Sequence, residues 1–348
     1  MADPGTVRCG PPAPDTGMSF PGHRTFPRGP AVSGPPGPFW IDDAPDRPHP
    51  GAVMSAEPVL LDRRTTPGAL DPDVPLIGPA TGRALHVMSY NIRFHHERTR
   101  PGDPDHWPDR APRLARLLQL EQPTLLGVQE ALYHQLPAVA QALPAGYGML
   151  GYGRAGGSKG EYSAIFYDAR RLEALEWDQF WLSDTPELIG STSWGNDVPR
   201  IVTWGRFLDR GTGSELVLVN THFDHDSETA RERSAEAVVE LVHSFPARTP
   251  VLVTGDFNAD ADGSGPYATL VGSGVLDDTW TAAERRLTPA WGTFPDYGEA
   301  VCDDERIDWV LATPGIRVQR SAINPARFAG GHPSDHAPVQ VLVSVGPD

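Results

Sequence analysis

A layered α/β (α+β) fold is predicted by this sequence, with β-sheets packed face to face inside and helices outside. Apolar strand-like runs outnumber helical patterns by about two to one, and the two kinds are mixed throughout the chain, which is typical of layered architectures. The chain has 348 residues, of which 39% are hydrophobic. That length and composition suffice for one large domain or two ordinary ones.

The predicted strands are short runs of alternating or continuous apolar residues. The first covers 85–90 and ends at Asn91, and the second covers 124–128 and leads into Glu130. The run at 251–254 has the β-branched composition of a buried strand. The other strands are predicted at 147–152, 163–167, 172–181, 201–208, 216–220, 307–311 and 339–345.

Three helices are predicted between these strands. Residues 109–120 carry apolar side chains at helical spacing, and a second helix covers about 132–142. The third is a long amphipathic helix over 227–245. Its first residue, Ser227, is suited to cap the N-terminus, and Glu228 stands in the first turn.

The first 80 residues differ from the rest in composition. They hold 18 of the 37 prolines, without any period, and such a segment cannot bury a core. We therefore predict a Pro/Gly-rich, mostly disordered extension over 1–80 and a folded domain over 81–348. No run approaches the roughly 18 apolar residues of a membrane-spanning helix, and the extension lacks the apolar region of a secretory signal.

Charge and cysteine content narrow the classes of function. The net charge is −16, which disfavours a nucleic-acid binder with a broad basic surface but leaves open a nuclease whose metal ions supply the positive field. Cys9 and Cys302 lie in different parts of the chain. A disulfide framework or a zinc site is therefore not expected, and a reducing compartment, the cytoplasm, is the expected location.

Polar residues close or interrupt many of the predicted strands. One such residue is ordinarily a cap or a turn former, but a set of this size predicts a single rim to which several strands deliver polar groups. Acidic oxygen ligands without cysteine favour Mg²⁺ or Mn²⁺ over zinc. The set comprises Asn91, Glu130, His222, Asp256, Asn258 and Asp308, with Asp335-His336 just before the last strand.

Gly255-Asp256-Phe257-Asn258 is the most informative of these strand ends. An acid and an amide two residues apart point the same way, and a pair of that kind suits a hydroxyl nucleophile held near a phosphate. A polar turn at the end of a strand is the alternative interpretation of the tetrapeptide alone.

Six short motifs occur in an order that resembles the endonuclease/exonuclease/phosphatase superfamily of DNase I-like metal-dependent phosphoesterases. The resemblance covers roughly 84–346 and implies a four-layer α/β/β/α sandwich of two packed β-sheets with outer helices. The motifs are Ser89-Tyr90-Asn91, Gly127-Val128-Gln129-Glu130, Asn220-Thr221-His222, Gly255-Asp256-Phe257-Asn258, Arg306-Ile307-Asp308 and Ser334-Asp335-His336.

The resemblance also implies a metal centre and a water-activating pair. Glu130 matches the principal metal ligand, Asn91 the amide that helps hold metal and phosphate, and Asp335 a further acid at the metal site. Asp256 matches the acid that positions or deprotonates the attacking water, and Asn258 matches the amide beside it.

Two histidines match the phosphate-side groups of the family. His336 is implied to contact the scissile phosphate, with Asp308 orienting it. His222 is implied to be a second such group, paired with Glu161. A carboxylate partner is expected to raise the pKa of each histidine and to favour its charged form.

Substrate-binding candidates outside the motifs are less specific. Arg154 and Lys159 lie in the Gly-rich turn 153–160, which lacks the phosphate-loop spacing, and Arg200 precedes a strand. A solvated turn is the alternative for the first two. Tryptophans at 181, 194, 204 and 291 are candidates for base stacking, although core positions suit most of them better.

The sequence therefore predicts a divalent-metal-dependent phosphoesterase that hydrolyses a phosphomonoester or phosphodiester by in-line attack of a water positioned by Asp256. Its expected substrate is a phosphorylated small molecule or a short nucleic acid, and no protein partner is evident. One alternative is a nuclease or deadenylase-like exonuclease on short single strands. A second is a non-catalytic binding module on the same fold.

Overall fold

The computed structural model describes residues 71–346, so most of the predicted extension lies outside the described residues. The backbone N–H groups of Leu76, Ile77 and Gly78 donate to the carboxylate of Glu121 at 2.8–3.1 Å, and Glu121 is buried. Because these donors satisfy a buried carboxylate, residues 76–78 belong to the folded domain. The domain thus begins before the predicted boundary at residue 81.

The first sheet has seven strands and contains both ends of the domain. Across the sheet the order is β10-β12-β13-β1-β2-β4-β3, and the central β1 pairs with β2 in parallel and with β13 antiparallel. Its strands are β1 (Ala84–Asn91), β2 (Leu125–Gln129), β3 (Tyr147–Leu150), β4 (Ile165–Asp168), β10 (Arg285–Arg286), β12 (Arg317–Ile323) and β13 (Val339–Ser344).

The second sheet has six strands in the order β5-β6-β7-β8-β11-β9. Its central pair, β7 and β8, is parallel, and the other pairs are antiparallel. Its strands are β5 (Leu172–Trp181), β6 (Ile201–Asp209), β7 (Ser214–His222), β8 (Val251–Asp256), β9 (Asp277–Asp278) and β11 (Asp308–Ala312).

Helices cover the outer face of each sheet. Helices α1 (Trp107–Glu121) and α2 (Leu136–Ala142) pack on the first sheet, and α3 (Glu228–Ser244) packs on the second. Short turns α4 (Gly265–Tyr267), a π-helical segment (Ala268–Gly272) and α5 (Thr279–Ala282) follow β8. None of the helices within 71–346 is long and apolar enough to cross a membrane.

Three apolar clusters separate these layers. The central cluster joins side chains of both sheets, such as Val87 and Val341 from the first and Leu218 and Leu252 from the second. The outer two clusters lie under α1 and α2 and under α3. The four-layer α/β/β/α sandwich is therefore confirmed.

A buried amide also joins the two sheets close to their polar edge. Asn220 of β7 donates through Nδ2 to the carbonyl oxygens of Val128 and Ala164, at 2.9 and 3.0 Å. Its Oδ1 accepts from Gln129 Nε2 at 2.7 Å and from Thr254 Oγ1 at 3.0 Å. These bonds fix the register between the sheets, since each buried polar atom needs its partner.

Most predicted elements are confirmed, and two differences have clear causes. Strand β12 was not predicted, because its sequence Arg317–Ile323 has a polar middle and depends on pairing with β13. Helix α2 begins at Leu136, later than predicted, because Gln135 accepts the Leu132 N–H at 3.1 Å in a preceding turn. The four tryptophans named above are all at most 8% exposed, which confirms their core positions.

Candidate active site

The ends of strands from both sheets meet at one edge of the sandwich. His222 at the end of β7 is in register with Asp256 at the end of β8, and Asp308 at the start of β11 is in register with Asp256 on its other side. From the facing sheet, β1 ends at Asn91 and β2 leads into Glu130. The structure thus brings together the rim that the strand ends predicted.

The side-chain amide of Asn91 lies at the centre of this edge. Its Nδ2 donates to Glu130 Oε1 and to Asp256 Oδ2, both at 2.9 Å, and lies 3.3 Å from His336 Nε2. Its Oδ1 accepts the backbone N–H of Arg93 at 2.9 Å, which fixes the orientation of the amide. One buried amide therefore connects carboxylates from opposite sheets.

Acidic groups outnumber cationic groups in this centre. Burial and the nearby Asp308 carboxylate raise the pKa of Asp256 to about 7. An excess of buried negative charge is unfavourable unless a cation compensates it. The buried acids are Glu130, Asp256, Asp308 and Asp335, and the cationic groups that pair with them are Arg93 and His336.

Three side chains in the centre are arranged to hold a cation together. Glu130, Asp256 and His336 each offer one potential ligand atom, and these atoms lie within 4.8 Å of one another; His336 can bind an ion only when its ring is neutral. The predicted ligand Asp335 is engaged differently, since its Oδ2 lies 3.4 Å from Arg93 Nε. Arg93, which the sequence analysis did not identify, thus neutralises part of the acidic centre.

His336 and Asp308 form the predicted pair. His336 Nδ1 lies 2.8 Å from Asp308 Oδ2, and both side chains are buried. Burial lowers the pKa of His336, but the Asp308 and Asp256 carboxylates outweigh it, so this pKa lies well above its ordinary value. The raised pKa favours the protonated ring, in which Nδ1–H donates to Asp308.

His222 has a different environment from the one that the resemblance implied. Asn258 Nδ2 lies 3.0 Å from His222 Nε2, so the amide donates to an imidazole nitrogen without a proton. Burial and the charges of Arg200 and Arg154 lower the pKa of His222 well below its ordinary value. The expected rise in the pKa of this histidine is wrong, and the lowered pKa favours the neutral ring.

Glu161 explains this difference because its carboxylate has another partner. Glu161 Oε1 accepts from Arg154 Nη2 at 2.7 Å, and the expected pairing of Glu161 with His222 is not found among the described residues. Burial raises the pKa of Glu161, although Arg154 partly offsets the rise. Glu161 lines the cleft as a partner of an arginine.

The three substrate-binding candidates are placed differently. Arg154 and Arg200 line the cleft in front of the acidic centre, and Arg200 Nε lies 3.3 Å from Asp224 Oδ2. Arg200 Nη2 also donates to His225 Nδ1 at 2.7 Å. Lys159 is exposed in its turn and is not part of the cleft wall.

The cleft has a volume of about 360 Å³, which is in the range of sites for small ligands. Aromatic side chains stand at its rim: Phe94 and Phe294 line it, and the Phe294 ring centroid lies 4.8 Å from that of His336. Sequence reasoning missed both phenylalanines, since neither follows a strand motif.

Arg110 supports two of the loops that carry site residues. It is completely buried, and its Nη1 donates to the carbonyl oxygens of Ile92 at 2.8 Å and Pro333 at 3.2 Å. Its Nη2 donates to the carbonyl oxygens of Arg93 and Phe94, both at 3.2 Å. The sequence does contain a signal for this role, because Arg110 lies four residues before Leu114 and therefore on the apolar face of α1.

Comparisons with known proteins agree with this geometry. A family model described as the endonuclease/exonuclease/phosphatase family matches residues 88–336. A solved endonuclease/exonuclease/phosphatase family protein from Bacteroides thetaiotaomicron is 34% identical, with a TM-score of 0.70, covering 76% of this chain and 95% of that chain. A mannosyl-6-phosphatase from Bacteroides thetaiotaomicron VPI-5482 is 35% identical, with a TM-score of 0.68, covering 74% of this chain and 99% of that chain.

A curated protein is also similar over part of its length. Protein angel of Drosophila melanogaster is 28% identical over 213 residues, which is 59% of this chain and 57% of that protein. The match therefore spans little more than half of that relative.

Proposed function

Because this chain belongs to the endonuclease/exonuclease/phosphatase family and is therefore a hydrolase of phosphoester bonds, we propose that it is a divalent-metal-dependent phosphatase of phosphorylated small molecules, with sugar phosphates as the leading class. The observation that carries the proposal is the buried acidic centre around Asn91, which faces a small cleft lined by Arg154 and Arg200. The mannosyl-6-phosphatase at 35% identity supports the substrate class.

The donor set of the centre fits a hard divalent cation. The four acids of the centre exceed its two cationic groups and supply oxygen ligands, which Mg²⁺ and Mn²⁺ prefer. We propose that Glu130 holds the ion, with Asp335 contributing, while Asp256 and His336 stand beside it. Asn91 presents its Nδ2 to Glu130 and would join the ligands through Oδ1 only after the amide turns. When bound, such an ion neutralises charge on the phosphate oxygens.

The remaining chemistry is proposed for the chain's own side chains. Asp256 accepts a proton from the attacking water or orients it, because the pKa of this carboxyl, raised to about 7, suits a general base at neutral pH. The backbone N–H of Asn258 donates to Asp256 Oδ1 at 3.0 Å and holds the carboxylate in place.

On the phosphate side, His336 donates a hydrogen bond from Nε2 while Asp308 holds Nδ1. His222 is neutral, and Asn258 fixes its Nε2 as an acceptor. His222 therefore contributes orientation and hydrogen bonding without a full positive charge.

The substrate proposal follows from the charge and size of the cleft. Arg154 and Arg200 offer guanidinium groups to a phosphorylated ligand, whereas a chain of net charge −16 is poorly suited to long nucleic acids. Lys159 lies outside the cleft wall, and we leave it out of the proposed site. With two cysteines in the whole chain, we also propose a reducing compartment such as the cytoplasm.

A phosphate-release screen with the full chain tests the proposal. We expect Mg²⁺- or Mn²⁺-dependent release from mannose 6-phosphate and p-nitrophenyl phosphate, abolished by EDTA and by Asp256→Ala. The matched control Asp277→Ala, at an exposed acid of β9, should retain full activity. Release that survives EDTA would overturn the metal dependence, and faster cleavage of short single strands than of sugar phosphates would overturn the substrate class.

A further inference from the structure

We propose that His95 and His134, a rim pair next to the cleft-lining Phe94, form a second metal site for a divalent ion of the zinc, nickel or copper class. His95 Nδ1 and His134 Nε2 lie 2.8 Å apart. The ring planes are inclined at 69°, with centroids 5.0 Å apart. Two imidazole nitrogens from different loops thus share one hydrogen bond outside the acidic centre, and an ion bound between them would displace its proton.

A buried side chain holds the two loops in this relation. Gln135 Oε1 accepts the backbone N–H of His95 at 2.9 Å and that of Leu132 at 3.1 Å. Gln135 Nε2 donates to the carbonyl oxygen of Arg93 at 3.1 Å, and Gln135 is completely buried. The backbone that carries both histidines is therefore fixed before any ion binds, which favours binding.

The geometry is compatible with chelation by both rings. Zinc–nitrogen bonds of about 2.0–2.1 Å at a tetrahedral ion place the two nitrogens roughly 3.3 Å apart. His95 and His134 need to separate by only about half an ångström from their present 2.8 Å, and the exposure of this pair leaves room for that shift. Among the described residues, His95 Nε2 and His134 Nδ1 accept no other hydrogen bond, so each is free to carry the ring proton.

The two sites differ in the ions that they prefer. The rim pair offers imidazole nitrogen alone, which suits zinc, copper and nickel, whereas the centre offers mainly carboxylate oxygen. The His95–His134 pair and the acidic centre are linked by a short segment of backbone. Phe94, which directly precedes His95, donates its backbone N–H to Glu130 Oε2 at 3.0 Å. An ion at the rim is thus attached to the segment that contacts Glu130, the proposed ligand of the catalytic ion.

Equilibrium dialysis of the full chain with Zn²⁺, in the presence of saturating Mg²⁺, tests the proposal. We expect the wild-type chain to bind one Zn²⁺ more than His95→Ala and His134→Ala, or to bind it at least tenfold more tightly. The control His243→Ala, in the last turn of α3, should match the wild type. Glu130→Gln should retain the rim ion, and this result would show that the ion is not bound in the catalytic centre.

A second readout protects the test against misfolding. His134→Gln keeps a polar side chain of similar size, and Co²⁺ absorption reports coordination directly. An unchanged Zn²⁺ stoichiometry and affinity in His134→Ala and His134→Gln, with wild-type circular dichroism, would overturn the inference. Loss of the extra ion in His243→Ala as well would also overturn it.

Discussion

Replacing Asp256 with asparagine is expected to abolish phosphate release and yet to stabilise the metal-free protein at alkaline pH. Asp256 is 1% exposed and stands beside the Asp308 carboxylate, so its ionised form is disfavoured in the folded state. An amide of the same shape removes this repulsion. The ionised carboxylate of Asp256 is thus predicted to destabilise the folded protein although the reaction requires it.

The magnitude follows from linkage. The pKa of Asp256 rises from an ordinary value of 3.8 to about 7 on folding, so the contribution of this carboxyl to stability is highest at low pH and falls as pH rises through that interval. Over pH 5 to 8 the fall is about 3 kcal/mol. The Asp256→Asn protein does not show this pH-dependent loss of stability. The new amide, however, no longer accepts the hydrogen bond from Asn91, and this loss costs about 1–2 kcal/mol at every pH.

Urea unfolding in EDTA at pH 5 and pH 8, followed by tryptophan fluorescence, measures this difference. The stability gained by Asp256→Asn should be about 3 kcal/mol larger at pH 8 than at pH 5. The control Asp277→Asn alters an exposed acid of β9 and should show no such dependence. An equal effect of Asp256→Asn at both pH values would refute the assignment of a raised pKa.

Three further substitutions test the support around the centre. Asp308→Asn should lower kcat about 100-fold and move the alkaline limb of the pH–kcat profile to lower pH, because the pKa of His336 falls without its carboxylate partner; an unmoved limb would contradict the pair. Arg110→Lys should lower the free energy of unfolding in urea by about 2 kcal/mol, since one ammonium cannot replace a guanidinium that donates to five carbonyl oxygens, and it should also lower kcat at saturating Mg²⁺. Gly127→Ala places a methyl group against Asn220 between the sheets and should cost about 2–3 kcal/mol in the same urea assay; a wild-type midpoint would refute the close approach.

The strand ends were predictable because their information is local. Side chains alternate along a strand, so an acid and an amide at 256 and 258 after an apolar run already define a polar edge. The order of such motifs along the chain indicated the family, and the family in turn implied the two-sheet sandwich. The resemblance to the family implied the pair of His336 with Asp308 and the place of Glu130 in the centre.

Partners that no motif or spacing connects were decided by tertiary packing. Glu161 bonds Arg154 in place of His222, and Arg93 lies between two acids of the centre, although no spacing in the sequence indicates either contact. Which polar groups meet, and whether burial lowers or raises a pKa, depends on where two separately formed sheets place them. The sequence by itself therefore determined the fold, the family and the chemical groups of the site, while only the packing of the two sheets decided their partners and charges.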